Sequence, residues 1–129
     1  MTAVLLDAHA YLWFVFDDPR LSPAAANKIE NPRVTKLLSV VSLWEIAIKL
    51  QIGKLELGMP LAEFFDEFIT ARELDLVDIE LSHLLAYDAL PLEHRDPFDR
   101  LLIAQARVLK VPVVSADPSF QKYNVQVLW

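Results

Sequence analysis

The chain has 129 residues, 54% of them apolar, with 12 Lys+Arg against 18 Asp+Glu and a net charge of −6. That size and apolar content suit one folded domain, residues 1–129, and exclude a disordered chain. Without cysteine there is no disulfide, thiolate zinc site or cysteine nucleophile, and the acidic balance argues against a broad basic face for non-specific phosphate binding.

In chain order, Val4-Leu5-Leu6 reads as a short strand ending at Asp7, and Ala8 to Phe16 as a helix stopped before Pro19. Ser22-Pro23 pairs a serine N-cap with proline at the first helical position, opening a helix over Ala24 to Glu30. Lys36 to Val41 reads as a strand, and Ser42-Leu43-Trp44-Glu45 matches a capping box for a helix to about Gln51. Over Met59 to Arg72, Leu61, Phe64, Phe65, Phe68 and Ile69 recur at one-face helical spacing. Leu74 to Ile79 alternates as a half-exposed strand would, and Ser82 to Ala89 is a short helix. Pro91 to Asp96 is a polar loop before a strongly apolar helix, Pro97 to Leu109. Val111 to Val114 is a buried strand, Asp117-Pro118 opens a helical turn, and Val125 to Trp129 is the last strand. Strands alternating with helices predict an α/β domain, a central parallel sheet with helices on both faces. No apolar run approaches the roughly 20 residues of a membrane span. The N-terminus lacks the marks of a signal peptide, so a cytoplasmic protein is expected.

Ligands in such folds bind beyond the carboxyl ends of the strands. Asp7, Glu45, Asp99 and Asp117 fall at or just after strand-to-helix junctions. Each has a purely structural explanation. Asp7 and Asp117 suit N-caps, Glu45 suits the third position of a capping box, and Asp99 suits a positive helix end beside the cap Asp96. Caps alone do not explain repeated carboxylates at one sheet edge, because like charges repel unless a cation joins them. An all-oxygen set points to a hard divalent ion, Mg²⁺ or Mn²⁺. His9, His83 and His94 lack metal-ligand spacing, although His9 sits two residues past Asp7. Ser115 is placed to hydrogen-bond a neighbouring carboxylate or to fill a turn. Lys49 reads as an i+4 ion-pair partner of Glu45, and Arg95 and Arg100 as solvated charges or phosphate-steering groups. Two glycines are too few for a dinucleotide-binding loop.

Several stretches carry a resemblance: Leu5-Leu6-Asp7-Ala8-His9 with Leu12-Trp13; Ser42-Leu43-Trp44-Glu45-Ile46-Ala47-Ile48-Lys49; the long run His94 to Ala106 containing Asp96-Pro97-Phe98-Asp99-Arg100; and Ser115-Ala116-Asp117 with Phe120. With them the chain resembles the PIN-domain ribonucleases, specifically the VapC toxins of type II toxin–antitoxin pairs. The resemblance implies a PIN-like α/β fold and an Mg²⁺- or Mn²⁺-dependent endoribonuclease acting on RNA. By position, the family's acidic quartet falls on Asp7, Glu45, Asp99 and Asp117. Asp96 and Ser115 are accessory candidates, and Ser115 stands where Thr is common. A homodimer and a VapB-type antitoxin are the implied partners. A groove between the Met59–Arg72 helix and the early helices would suit an antitoxin with an apolar helix and a basic tail. Two rivals remain: a phosphatase attacking with Asp7, disfavoured by His9 where a second Asp is wanted, and a non-catalytic binding module whose acids are only caps.

Overall fold

The computed structural model describes residues 2–72, 74–92 and 96–129. Five short apolar segments form the strands: β1 (Thr2–Leu6), β2 (Val34–Ser39), β3 (Asp75–Val77), β4 (Val113–Val114) and β5 (Val127–Leu128). They pair into one sheet ordered β3-β2-β1-β4-β5, and every pairing is parallel. Where β1 pairs with β4, at Leu5, Leu6, Val113 and Val114, both strands are fully buried, as strands covered on both faces must be.

The pleat divides the apolar residues between two layers. Val4 and Leu6 point to one face, where they pack with Ala10 and Tyr11 of α1 (Ala8–Val15) and with Ala25 and Ile29 of α2 (Pro23–Glu30). Leu5 points to the other face. There it joins Leu102, Ile103 and Ala106 of α6 (Pro97–Leu109) and partly buried residues of α5 (Leu81–Ala89). A third cluster locks α1 to α3 (Val40–Gln51) through Ala8, Leu12 and Ile46. The expected α/β architecture with helices on both faces is therefore the one observed.

Two elements differ from expectation. β2 ends at Ser39 and α3 begins at Val40, so the β-branched Val40-Val41 pair belongs to the helix. The Ser39 hydroxyl caps it, accepting the Val41 N–H at 3.1 Å. The expected capping box of Ser42 with Glu45 does not exist; Ser42 is fully buried in the first turn. The amphipathic segment after Met59 is also broken. α4 (Leu61–Phe65) runs straight into a π-helical turn, Asp66–Thr70, closed by the Ala71 N–H on the Asp66 carbonyl. Phe64 before the wide turn is buried against Ala8, Leu12 and Ile46, and Ile69 within it is buried against the sheet. The Phe68 carbonyl accepts the Tyr11 hydroxyl, tying the wide turn to α1. Among the described residues, no helix is long and apolar enough to cross a membrane.

Candidate active site

The strand order reverses at β1. β2 and β3 lie on one side of it, and β4 and β5 on the other. At such a switch point adjacent connections leave in opposite directions and open a crevice at the carboxyl edge. Asp7 follows β1 directly, and Ser115 and Asp117 follow β4, so neighbouring strands carry them to that edge. The first half of α3 brings Glu45, and the N-terminus of α6 brings Asp96 and Asp99. All five acids, with His9 and Lys49, line a single cavity of about 390 Å³.

The structural and chemical readings of these acids turn out to be compatible. Asp7 caps α1, its Oδ1 accepting the Ala10 N–H at 2.7 Å. Asp96 caps α6, with Oδ1 accepting from the N–H groups of Phe98 and Asp99 at 2.9 and 3.2 Å. The Asp117 Oδ1 accepts both the N–H and the hydroxyl of Ser119. These cap bonds fix where each carboxylate stands at the cavity wall, and every one of them uses Oδ1. Ser115 joins two of the acids. Its hydroxyl hydrogen-bonds the Asp7 carboxylate and accepts the Asp117 N–H at 3.0 Å.

Glu45 stands more than one turn inside α3 and is only 8% exposed, so capping does not account for its position. It pairs with Lys49 at 3.0 Å. The Lys49 ammonium also lies 3.1 Å from the His9 Nε2, which ties α1 to α3 across the cavity mouth. Trp44 and Phe98 meet edge to face at 5.0 Å, joining α3 to the start of α6 beside the acids.

Burial decides the electrostatics at Asp7. The carboxyl is held above its ordinary value because desolvation outweighs the hydrogen bonds from Ser115 and Ala10 and the charge of His9; the nearby Glu45 adds to the rise. Burial makes the charged form of Asp7 costly, and a cation beside it would relieve that cost. Among the described residues, no three of the acids and histidines already enclose a point at which an ion would be held. The donor set itself consists of carboxylates with one imidazole and no sulfur, which is the chemistry of a hard divalent ion.

Lys49 forms the expected i+4 ion pair with Glu45, and both it and His9 line the cavity. Their positions two residues after Asp7 and one turn after Glu45 were the available signals. Arg100, expected as a solvated or phosphate-steering charge, is instead buried. It donates to the Pro91 carbonyl at 2.9 Å and lies 4.8 Å over the Tyr87 ring, tying Pro91 and α5 to α6. His83 serves as a cap, accepting the Glu80 N–H at 3.0 Å. His94 and Arg95 lie outside the described residues.

The PIN domain family model matches residues 4–126. Ribonuclease VapC22 of Mycobacterium tuberculosis (strain ATCC 25618 / H37Rv) is 32% identical over 107 residues, covering 82% of this chain and 80% of that protein. Among solved structures, VapBC2 from Rickettsia felis bound to a DNA fragment from their promoter aligns with a TM-score of 0.73 at 16% identity, covering 98% of this chain and 97% of that one. FitAB bound to the IR36 DNA fragment aligns with a TM-score of 0.69 at 16% identity, covering 96% and 92%. The structural likenesses show the shared fold, the family match spans β1 to the approach to β5, and the sequence relative spans most of the chain: this protein belongs to the PIN-domain family.

Proposed function

We propose that this protein is a metal-dependent endoribonuclease of the VapC type, the toxin of a toxin–antitoxin pair. The observation that carries the reading is the meeting of Asp7, Glu45, Asp99 and Asp117, from four separate parts of the chain, in one cavity. The 32% identity to a ribonuclease supports RNA as the substrate.

Asp7 and Asp99 would hold a first Mg²⁺ or Mn²⁺, with Glu45 and Asp117 completing the site. Such an ion lowers the pKa of a bound water and neutralises charge on the scissile phosphate. The chain's own part is positioning and proton handling. Ser115 keeps Asp7 and Asp117 at a fixed spacing, and Asp96 anchors the turn that presents Asp99. A carboxylate, Glu45 or Asp117, takes the proton from the attacking water. Lys49 offsets the Glu45 charge and faces the phosphate from the cavity rim.

A VapB-type antitoxin is the proposed inhibitory partner, supported by the likeness to the VapBC2 and FitAB folds. A homodimer is the proposed assembly. Leu81, Leu84 and Leu85 of α5 and Trp44 of α3 form large exposed apolar surface, and such patches on soluble chains mark interfaces.

The test is cleavage of a mixed pool of structured RNAs by antitoxin-free protein, with Mg²⁺ or Mn²⁺ and with excess chelator. Discrete cuts that need both metal and Asp7 are expected. Full activity of Asp7→Asn or Asp99→Asn, or cleavage undiminished by chelator, would overturn the assignment.

A further inference from the structure

Among the described residues, Lys49 is the only Lys or Arg that lines the acid cavity. It is held from two sides. Its Nζ lies 3.0 Å from the Glu45 carboxylate, one turn back on α3, and 3.1 Å from the His9 Nε2 on α1. An ammonium has three N–H donors and no lone pair, so the His9 Nε2 is the acceptor in this contact and the ring proton sits on Nδ1. Two of the donors are thus placed, and the third is left for whatever enters the cavity.

The pair with Glu45 accounts for the charge beside Lys49 but not for its fixed place, because a four-carbon side chain keeps many rotamers in an i,i+4 pair. The second hold comes from another helix, and the imidazole that supplies it is itself fixed. The His9 ring lies tilted on Trp13, one turn further along α1, at 5.9 Å. Trp13 in turn carries the Arg20 guanidinium at 4.8 Å and the Trp129 ring edge-on at 5.8 Å. A carboxylate in place of His9 would hold Lys49 as well. It would also add negative charge to a wall that already carries Asp7, Glu45, Asp96, Asp99 and Asp117, and would neutralise the ammonium. A neutral acceptor fixes the ammonium and leaves its charge for a ligand.

We infer that His9 is a positioning residue: its Nε2 lone pair holds Lys49 so that the third N–H donates to a non-bridging oxygen of the scissile phosphate. The inference rests on the ribonuclease reading. It adds a residue outside the acids that acts only through Lys49.

The experiment takes an RNA that the wild-type chain cuts in the pool and measures single-turnover cleavage with Mn²⁺. Calorimetric Mn²⁺ titration of each variant without RNA runs beside it. His9 is exposed, so its substitution leaves the core intact. Lys49→Met should slow cleavage about a hundredfold, as loss of one donor to a transition-state oxygen does. It should bind Mn²⁺ no less tightly, because a cation beside Glu45 is gone. His9→Phe keeps a ring on Trp13 and removes the acceptor. It should slow cleavage about fivefold, the effect of one hydrogen bond, with RNA and Mn²⁺ affinity unchanged. His9→Gln, which offers Lys49 a neutral oxygen, should recover most of that loss. In the Lys49→Met background, His9→Phe should slow cleavage no further, since a residue that acts through Lys49 has nothing left to place. Additive losses, or wild-type cleavage by Lys49→Met or His9→Phe, would overturn the inference and leave the ribonuclease reading standing. Weaker Mn²⁺ binding by His9→Phe would make His9 part of the metal site and overturn the inference too. A wild-type chain that cuts no RNA in the pool would overturn both.

Discussion

Asp7 shows how one residue can end a strand, start a helix and supply charge to a site. Its cap bond to Ala10 and its bond from Ser115 hold it, and burial raises its pKa. In the unfolded chain an aspartate titrates near its ordinary value of 3.8. Between that value and the raised folded one, the folded state binds more protons than the unfolded state. Metal-free stability should therefore fall as pH rises through that window and stay reduced at neutral pH. Asn keeps the cap and removes the buried charge. At neutral pH and without metal, Asp7→Asn should melt above the wild type, and the gap should close below about pH 4, where both side chains are neutral. Excess Mn²⁺ should reverse the order by stabilising only the wild type. A melting series across pH, with and without Mn²⁺, checks both signs. The sequence alone showed that Asp7 was either a cap or a ligand candidate. It could not show that the geometry lets it be both, because the distance to Ser115 depends on strand pairing.

The clearest correction belongs to the elements. Ser42 and Glu45 have the spacing of a capping box, yet the cap is Ser39, three residues earlier. Local pattern treats Val40 and Val41 as strand residues because β-branched side chains favour sheets. Packing overrides that preference, since Val41 is buried against the α6 face once the helix starts early. The Ser42 hydroxyl is left buried without a hydrogen-bond partner among the described residues. Ser39→Ala should then lose about 1 kcal/mol of stability, as loss of an N-cap does. Ser42→Ala should be neutral or stabilising by up to about 1 kcal/mol, because it removes an unsatisfied buried polar group. Denaturant unfolding of the two variants ranks them, and the opposite order would restore the capping box. α6 was legible to the residue, Pro97 to Leu109, because proline, a cap and a strong apolar stripe agree there. The π turn after Phe65 was not, since one-face spacing reads alike through an ordinary helix and a widened one.

At the scale of the molecule, the strand order makes the site. A different order would leave the same acids at the same edge but apart. The exposed leucines of α5 add a consequence for assembly. If two chains meet on that face, light scattering should give the mass of a dimer for the wild type. Leu85→Lys, at a position 72% exposed and so free to take a charge without unfolding the chain, should give the monomer mass. A monomeric wild type at the same concentration would remove this face as an interface. By itself the sequence determined the alternation of strands and helices, the acids that follow them and the absence of sulfur chemistry, because hydrophobic period, caps and composition are local properties. Only the tertiary structure decided that β1 and β4 are neighbours, that Asp7 and Asp117 share Ser115, and that Lys49 and His9 enter the cavity. Those facts depend on contacts between residues far apart in the chain, and such contacts are set by how the sheet and its helices pack rather than by any stretch of sequence.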